Sequence, residues 1–272
     1  MNRHKHADSC ISSTLLVVLA SQRKNEILER VRRDGSIIAA AVAVEWNVSE
    51  DTVRRDLREL AADGKVQRVH GGAVLHSPAA ADYATRTTVA SGPKADVART
   101  AAAMIKPGQT VFLDGGTTTA AICRALPLSL DITVVTHSPT VAIELVDRPA
   151  VRVLLIGGTL YRHSLVTVGA IAAEYVNNLN VDVFFMGVSG VHPLHGLTTG
   201  DAEEAAIKRA ICRRAADTFV LASSEKLGSA LPHRVVAFDQ VTAAITDERN
   251  TRTLNALRRA GLSILPTTSM KH

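Results

Sequence analysis

The sequence predicts an α/β protein made of a small N-terminal domain and a larger, mostly parallel α/β domain. In residues 21–76, apolar side chains recur at helical spacing and a short basic segment follows them. Beyond residue 94, apolar runs of strand length alternate with helical segments. These runs lack polar alternation, which is typical of parallel strands that are covered on both faces. Residues 77–93, rich in Ala, Thr, Ser and Pro, are expected to link domains at 21–76 and 94–272.

Composition narrows the class of protein. A chain of 272 residues is long enough for two domains, each with its own core. The formal charge of +5 permits a polyanionic partner, but the basic excess is spread over both parts and does not locate a binding surface. Three widely spaced cysteines exclude a disulfide framework and fit a reducing cytoplasm, and the ten histidines show no metal-ligand spacing. We therefore expect a cytoplasmic protein without a metal or cofactor.

Three helices and a hairpin are predicted in the N-terminal domain. The first helix is expected to end at Asp34-Gly35, and Ser49 is expected to cap the third helix. The predicted helices are 22–33, 38–46 and 49–63, and the predicted hairpin strands are 65–69 and 73–75. This order is that of a winged helix-turn-helix, in which the third helix enters the DNA major groove and the hairpin forms the wing.

The third helix carries the strongest signal in the chain. Val53, Leu57 and Leu60 fall on one face and are expected to pack against the first two helices. The other side carries arginines, which hydrogen-bond guanine in a bidentate manner, and a threonine, which contacts a thymine methyl group or a phosphate. The pattern therefore predicts a DNA recognition helix.

An alternative is a solvated surface helix whose arginines pair with Asp51, Asp56 and Glu59. The basic hairpin that follows favours DNA binding, because a wing at this position contacts the phosphate backbone or the minor groove. The expected DNA-binding residues are Ser49, Thr52, Arg54, Arg55, Arg58, Arg68 and His70.

Residues 1–20 allow two interpretations. Basic residues precede an apolar run from Thr14 to Ala20, which resembles a secretory signal peptide with a short apolar core. The run is shorter than the about 20 residues that a membrane span requires. Because a DNA-reading motif follows directly, we expect an N-terminal extension and no membrane association.

The larger domain is predicted to contain seven strands and six helices. The strands are expected at 110–113, 132–136, 151–156, 183–187, 218–222, 243–246 and 262–265. The helices are expected at 95–105, 117–125, 138–146, 169–177, 201–216 and 248–260. Ligands of such sheets collect at the carboxyl ends of the strands.

A turn rich in glycine and hydroxyl groups follows the first of these strands. Glycine lets the backbone approach an anion, and the N-terminus of the next helix favours negative charge. Two further loops at strand ends carry Gly157-Gly158 and Lys226, and Glu204 is placed to meet sugar hydroxyl groups. The expected ligand-binding residues are Asp114, Gly115, Gly116, Thr117, Thr118, Thr119, Gly157, Gly158, Arg162, Glu204 and Lys226.

Each of these features has a simpler alternative. Glycine-rich turns after strands often only reverse the chain, and Lys226 by its spacing alone is an ordinary surface lysine. Glu204 and Lys208 are also compatible with a common i,i+4 ion pair, which contributes a few tenths of a kcal/mol.

Residues 21–250 resemble the DeoR family of transcription regulators. The resemblance rests on Val48-Ser49-x-x-Thr52-Val53-Arg54-Arg55-Asp56-Leu57-x-x-Leu60, on Arg68-Val69-His70-Gly71-Gly72-Ala73, and on Asp114-Gly-Gly-Thr-Thr, Gly157-Gly158, Gly196-Leu197-Thr198, Glu204 with Lys208, and Lys226-Leu227-Gly228. It implies a sensor domain similar to sugar-phosphate isomerases that binds a phosphorylated sugar or a related metabolite. The sequence departs from the family at His137, where asparagine is common, and at Ala222-Ser223, where an aspartate is usual.

Three hypotheses follow for function. The first is a regulator, a repressor of carbohydrate-metabolism genes, that binds a double-stranded operator as a homo-oligomer (dimer or tetramer) under control of a phosphorylated sugar. The second is a sugar-phosphate isomerase-like enzyme that retains a DNA-binding domain; no convincing set of base, acid and electrophile emerges from the sequence, so we expect no enzyme. The third is a C-terminal domain that serves only for oligomerisation.

Overall fold

Three helices and a three-stranded antiparallel sheet form the N-terminal domain of the computed structural model, which describes residues 20–267. The helices are α1 (Ala20–Asp34), α2 (Ala39–Glu45) and α3 (Glu50–Ala62); the strands are β1 (Ser36–Ile38), β2 (Val66–Val69) and β3 (Gly72–Leu75). The predicted helices and hairpin are confirmed. Strand β1 is an addition, and its three residues are too few to show a periodic pattern.

The apolar faces of α1 and α3 form the core of this domain. Ile27 on α1 packs in the same buried cluster as Val53 and Leu57 on α3. Strand β3 lies between β1 and β2, and this pairing requires a glycine at its start. A side-chain carbon on Gly72 would lie 1.8 Å from the carbonyl oxygen of Ile37 on β1. Gly72 thus allows β3 to pack closely against β1, whereas Gly71 has a φ of 79° in the turn between β2 and β3.

The segment 77–93, expected as a linker, is largely helical. A turn of 3-10 helix at Pro78–Ala80 is followed by α4 (Tyr83–Thr88) and α5 (Ser91–Met104). The Ser77 hydroxyl donates a hydrogen bond to the carbonyl oxygen of Ser189, and the Tyr83 N–H donates to that of His163 at 3.0 Å. These bonds hold the segment against the larger domain.

Seven strands of the larger domain form one parallel sheet. The strands of this domain are β4 (Thr110–Leu113), β5 (Ile132–Thr136), β6 (Val151–Leu155), β7 (Thr159–Tyr161), β8 (Val166–Val168), β9 (Val181–Gly187), β10 (Gly190–His192), β11 (Gly196–Thr199), β12 (Ala215–Leu221), β13 (His233–Arg234), β14 (Ala243–Thr246) and β15 (Ile264–Pro266). The sheet order is β15-β14-β12-β9-β4-β5-β6, and every pairing in it is parallel. The seven predicted strands are confirmed. Strands β7 and β8 pair as a hairpin, and β10, β11 and β13 form a small sheet that the sequence pattern does not predict.

Helices cover both faces of this sheet, as the continuous apolar strands predict. The remaining helices are α6 (Thr117–Ala125), α7 (Pro139–Glu144), α8 (Ala170–Asn177), α9 (Ala202–Cys212) and α10 (Thr251–Arg259). One buried cluster contains residues of α5, α6 and α7, and the other contains residues of α8, α9 and α10. Between residues 20 and 267, no helix combines the length and apolarity that crossing a bilayer requires. Residues 1–19, which carry most of the predicted N-terminal extension, lie outside the described range.

The two domains contact each other beside the wing. Leu75 at the end of β3 forms an isolated parallel β-bridge with Ser229 of the larger domain. Arg252 at the start of α10 forms an ion pair with Asp34 at the end of α1, with an N–O distance of 3.1 Å. The wing therefore contacts the larger domain directly through Leu75, and the end of α1 does so through Asp34.

A buried ionic network joins the central strands to α9. Asp114, directly after β4, is fully buried and accepts hydrogen bonds from His137 Nε2 and from the Gly187 N–H, each at 2.8 Å. Lys208 Nζ donates to the same carboxylate and also contacts Glu204 Oε1 at 3.2 Å. Burial opposes the charge on both groups, but their attraction lowers the pKa of Asp114 and raises the pKa of Lys208 from their ordinary values. The network fixes the carboxyl edge of the sheet.

We expect Asp114→Asn to lower the free energy of unfolding by about 3–5 kcal/mol near neutral pH, because it leaves Lys208 buried without its main counter-charge. Since folding lowers the pKa of Asp114, the stabilisation is present above the unfolded pKa of about 3.9 and is lost as pH falls toward the folded value. Urea unfolding of the wild type and the variant at several pH values measures this difference. Asp147→Asn, at an exposed aspartate, is the control. Equal, small changes in both variants would contradict the role given to the network.

Candidate functional site

The first candidate surface is the exposed side of α3. The Ser49 hydroxyl accepts a hydrogen bond from the Thr52 N–H at 3.1 Å and so caps the helix as predicted. The side chains of Arg54, Arg55 and Arg58 point to solvent, with 55%, 66% and 49% of their surface exposed. The helix therefore presents three guanidinium groups outward while its apolar side is buried.

Two of the four carboxylates of α3 form ion pairs with α1. Buried Asp56 accepts from Arg23 Nε at 2.8 Å, and Glu59 pairs with Lys24. Of the alternative in which the helix arginines pair with Asp51, Asp56 and Glu59, the structure therefore shows only the Asp51 contacts, which Arg55 and Arg58 make. The two ion pairs with α1 also hold α3 against α1 and so fix the orientation of its exposed side.

The arginines of α3 are only loosely held. Arg54 pairs with Glu50 at 2.7 Å on the helix surface, an arrangement of small net stability. Arg55 and Arg58 approach Asp51 at 3.8 and 3.9 Å, which is too long for a hydrogen bond. A phosphate or a guanine edge can therefore compete for them.

The wing, formed by β2, β3 and the turn between them, stands beside α3. A groove of about 310 Å³ separates the two; we call it the wing groove and define it by Arg54, Arg58, Arg68 and His70. Four of the seven predicted DNA-binding residues thus meet in one groove. Ser49, Thr52 and Arg55 do not line it; Arg55 is exposed on α3, and the first two lie at the helix start.

The second candidate site lies at the carboxyl edge of the parallel sheet. We call it the central pocket and define it by the turn after β4, the loop after β9, and charged residues from α4, α5, α9 and the loop after β12. Its lining residues include Arg86, Lys94, Gly115, Gly116, Thr117, Thr118, Thr119, Ser189, Glu204, Lys208 and Lys226. Seven predicted ligand-binding residues are therefore brought together.

Arg86 on α4 is the most unusual group in this pocket. Its Nε and one terminal guanidinium nitrogen (Nη2) are buried, and neither has a hydrogen-bond partner among the described residues. Burial lowers its pKa, although distant carboxylates such as Glu204 oppose this effect. Its guanidinium also lies over the ring of Tyr83, 6.0 Å from the ring centroid. Buried N–H groups without a hydrogen-bond partner are costly, and an anion in the pocket would satisfy them.

Two buried lysines stand beside Arg86. Lys94 Nζ donates to the carbonyl oxygen of Arg86 at 2.7 Å, and Lys226 Nζ donates to that of Leu221 at 2.9 Å. Burial lowers the pKa of Lys226 to about 8. Glu225 attracts both lysines but forms no ion pair with them within 4.0 Å. Together with the hydroxyls and amides of residues 115–119, the three cations form a site suited to phosphate.

The pocket is nearly closed in this structure. Its free volume is about 20 Å³, which is room for about one water molecule. A sugar phosphate therefore requires the walls to separate. The wall that carries Arg86 and Lys94 consists of α4 and the first turn of α5, which follow the wing in the chain.

The other predicted ligand-binding residues lie apart from the pocket wall. Asp114 is fully buried behind the residues that line the pocket, and its carboxylate already accepts hydrogen bonds within the ionic network. Gly158 packs closely, because an added side-chain carbon would lie 2.7 Å from the carbonyl oxygen of Val168. Gly157 and Arg162 are exposed and do not line the pocket. Within residues 20–267 no cluster of three side chains suits a metal ion.

Arg86 and Lys94 were outside the sequence prediction. They lie in or next to the segment that composition marks as a linker, where single basic residues carry no periodic or motif signal. His137, noted as a departure from the family, is fully buried, and its Nδ1 and Nε2 contact the Thr167 carbonyl oxygen and Asp114. It therefore supports Asp114 and does not contact the pocket directly.

Two family models match the two domains of the chain. The model of the DeoR-like helix-turn-helix domain matches residues 23–79, and the model of the DeoR C terminal sensor domain matches residues 90–248. The chain is similar to a putative aga operon transcriptional repressor of Escherichia coli O157:H7, with 30% identity over 253 residues that cover 90% of this chain and 93% of the relative. It is also similar to the glycerol-3-phosphate regulon repressor of Escherichia coli (strain K12), with 30% identity over 228 residues that cover 84% and 90%.

Among solved structures, the full-length sorbitol operon regulator SorC from Klebsiella pneumoniae matches with a TM-score of 0.41 and 13% identity, covering 86% of this chain and 98% of its own. The two family models together span the winged helix-turn-helix and most of the parallel-sheet domain, and the first model alone assigns DNA binding to the N-terminal part. The chain belongs to the DeoR family of transcription regulators, with a DNA-binding helix-turn-helix domain followed by a C-terminal sensor domain.

Proposed function

We propose that this protein represses carbohydrate-metabolism genes and that a phosphorylated sugar or related metabolite, bound in the central pocket, changes its affinity for DNA. The observation that carries the proposal is that Nε and Nη2 of Arg86 are buried and have no hydrogen-bond partner between residues 20 and 267. The names of two relatives, repressors of the aga operon and of the glycerol-3-phosphate regulon, support a link to this class of metabolite.

On the DNA side, α3 enters the major groove with Arg54, Arg55 and Arg58 toward the bases and phosphates. Ser49 and Thr52 lie at the N-terminus of the helix, where backbone N–H groups and hydroxyls contact phosphate. Arg68 and His70 on the wing contact the adjacent backbone. Two such domains in a homo-oligomer, a dimer or a tetramer, read an inverted repeat whose half-sites are whole helical turns apart. The protein acts where this DNA lies, in the cytoplasm.

On the sensor side, the phosphate is held by Arg86, Lys94 and Lys226 together with the backbone of residues 115–119. Glu204 lies at the wall of the same pocket, and although its oxygens contact Lys208 and Thr199, each keeps a second lone pair that can accept a hydrogen bond from a sugar hydroxyl. Binding requires the pocket to open beyond about 20 Å³. Because Arg86 and Lys94 follow the wing in the chain, opening displaces the segment that connects the sensor domain to the DNA-binding domain.

We propose binding without turnover. Lys208, the cation nearest to Asp114 and Glu204, is already paired with both. The second oxygen of Glu204 accepts a hydrogen bond from Thr199 at 2.8 Å. These groups are therefore committed to one another and are poorly placed to exchange protons with a substrate. Turnover of sugar phosphates by the purified protein would favour the isomerase-like alternative.

We expect Arg55→Ala to weaken binding to a selected operator by about 1–3 kcal/mol, because alanine cannot form the bidentate hydrogen bonds that arginine makes with guanine. The operator is first obtained by selection from random duplexes, and affinity is then measured by fluorescence anisotropy. Arg33→Ala is the matched control, since Arg33 is similarly exposed at the end of α1 but lies away from α3's outer side. Operator affinity that survives both Arg55→Ala and Arg54→Ala would show that α3 is not the recognition helix.

We expect a sugar phosphate at about 100 times its Kd to stabilise the wild type by about 2.7 kcal/mol, or roughly 5–10 °C in Tm. Arg86→Met should abolish most of this shift. Without ligand the same variant should have an unchanged or higher Tm, because it removes an unpaired buried charge.

The control for this measurement is Arg99→Met, at an exposed arginine on α5 that pairs with Asp96. The same sugars without phosphate test the anion requirement. A flat response of the wild type across a broad panel would favour a domain that serves only for oligomerisation. A full shift in Arg86→Met would exclude Arg86 from the site.

A further inference from the structure

A cleft borders the wing on each side. The wing groove separates the wing from α3. On the opposite side, a second cleft of about 670 Å³ separates the wing from the sensor domain. We call it the sensor-side cleft and define it by Arg68 and His70 of the wing and by His195 and Arg234 of the sensor domain. The two clefts share Arg68, Val69 and His70, so the wing is the wall between them.

Both clefts have the electrostatic character of a nucleic-acid surface. Neither is lined by an aspartate or a glutamate. Arg68 and Arg234 are exposed, and within residues 20–267 neither forms an ion pair. Several other exposed arginines are paired with a carboxylate, as Arg54 is with Glu50. Arg234 is thus an uncompensated charge that faces the same cleft as the wing.

Arg234 is held in place by the backbone around it. It lies on the short strand β13, where it pairs with Thr198 of β11. Its carbonyl oxygen accepts a hydrogen bond from Arg209 of α9 at 2.6 Å. Any side chain at this position keeps these backbone contacts. The guanidinium is therefore presented from a fixed element, and its removal leaves the framework intact.

The geometry of B-DNA relates the two clefts. The minor groove is about 6 Å wide and has a phosphate strand on each side. A wing that enters or covers this groove therefore has one strand on either side of it. In this placement, the DNA strand that borders the major groove would lie in the wing groove, and the other DNA strand would lie on the side of the wing that faces the sensor domain. The sensor-side cleft is open to solvent and carries cationic and hydrogen-bond-donating groups where this second strand would run.

We propose that the sensor domain itself contacts DNA: the sensor-side cleft receives the phosphate backbone beyond the wing, with Arg234 as a phosphate contact and His195 as a hydrogen-bond partner. This contact adds affinity that does not depend on base sequence, because it involves only the backbone. It extends the DNA-binding surface beyond the helix-turn-helix domain and does not depend on the identity of the effector.

The salt dependence of binding tests this assignment. The full-length protein is titrated with a mixed-sequence duplex, long enough to pass both clefts, at a series of salt concentrations. The slope of log Kobs against log [salt] changes by about 0.9 for each phosphate that the protein no longer neutralises. We expect Arg234→Ala and Arg68→Ala each to reduce the slope by about this amount, and Arg234→Lys to retain it, because lysine preserves the charge.

The control is Arg152→Ala, at an exposed arginine on the edge strand β6 that lines neither cleft. It should leave the slope unchanged. Arg234→Ala should weaken operator and mixed-sequence duplexes by the same factor, in contrast to Arg55→Ala, which should act mainly on the operator. If the slope for Arg234→Ala equals that of the wild type while Arg68→Ala reduces it, the sensor domain does not contact DNA and the wing acts alone.

Discussion

The ion pair between Asp114 and Lys208 determines the geometry of the sensor domain beside the central pocket. It connects the end of β4 to α9 across the carboxyl edge of the sheet, and His137 and the Gly187 N–H bond the same carboxylate. Because the charged groups of this network are paired with one another, the network holds the base of the central pocket in one arrangement. Arg86, Lys94 and Lys226 form no ion pair within the described part of the chain, and in the proposed function an anion supplies the missing counter-charge. The paired charges of Asp114 and Lys208 thus stabilise the fold, whereas the cations Arg86, Lys94 and Lys226 are those proposed to bind the ligand.

The sequence predicted the fold well because its elements obey simple periodicities. The parallel strands are continuous apolar runs, and the recognition helix has a clear buried side at Val53, Leu57 and Leu60. Short elements such as β1 and β13 escaped prediction because two or three residues carry no period. In the site, the turn after β4 was found through its glycines and hydroxyls. Arg86 and Lys94 were not, because their role arises from tertiary packing of a segment whose composition resembles a linker.

The position of that segment explains how two distant sites can affect each other. It begins where the wing ends, is bonded to the sensor domain through Ser77 and Tyr83, and then supplies Arg86 to the central pocket. A ligand that widens the pocket therefore acts on the element that carries the wing. The ion pair of Asp34 with Arg252 and the bridge at Leu75 are further contacts that such a movement alters. Coupling between the sites then depends on the difference in ligand affinity between the closed and open arrangements.

The most direct test is the operator affinity of the wild-type protein as a function of the concentration of a sugar phosphate that stabilises it. Anion capture at Arg86 is predicted to change operator affinity by about 5- to 150-fold, with the operator changing ligand affinity by the same factor. A ligand that saturates the sensor domain, seen as a thermal shift, while operator affinity stays constant would contradict the proposed link between the pocket and the wing.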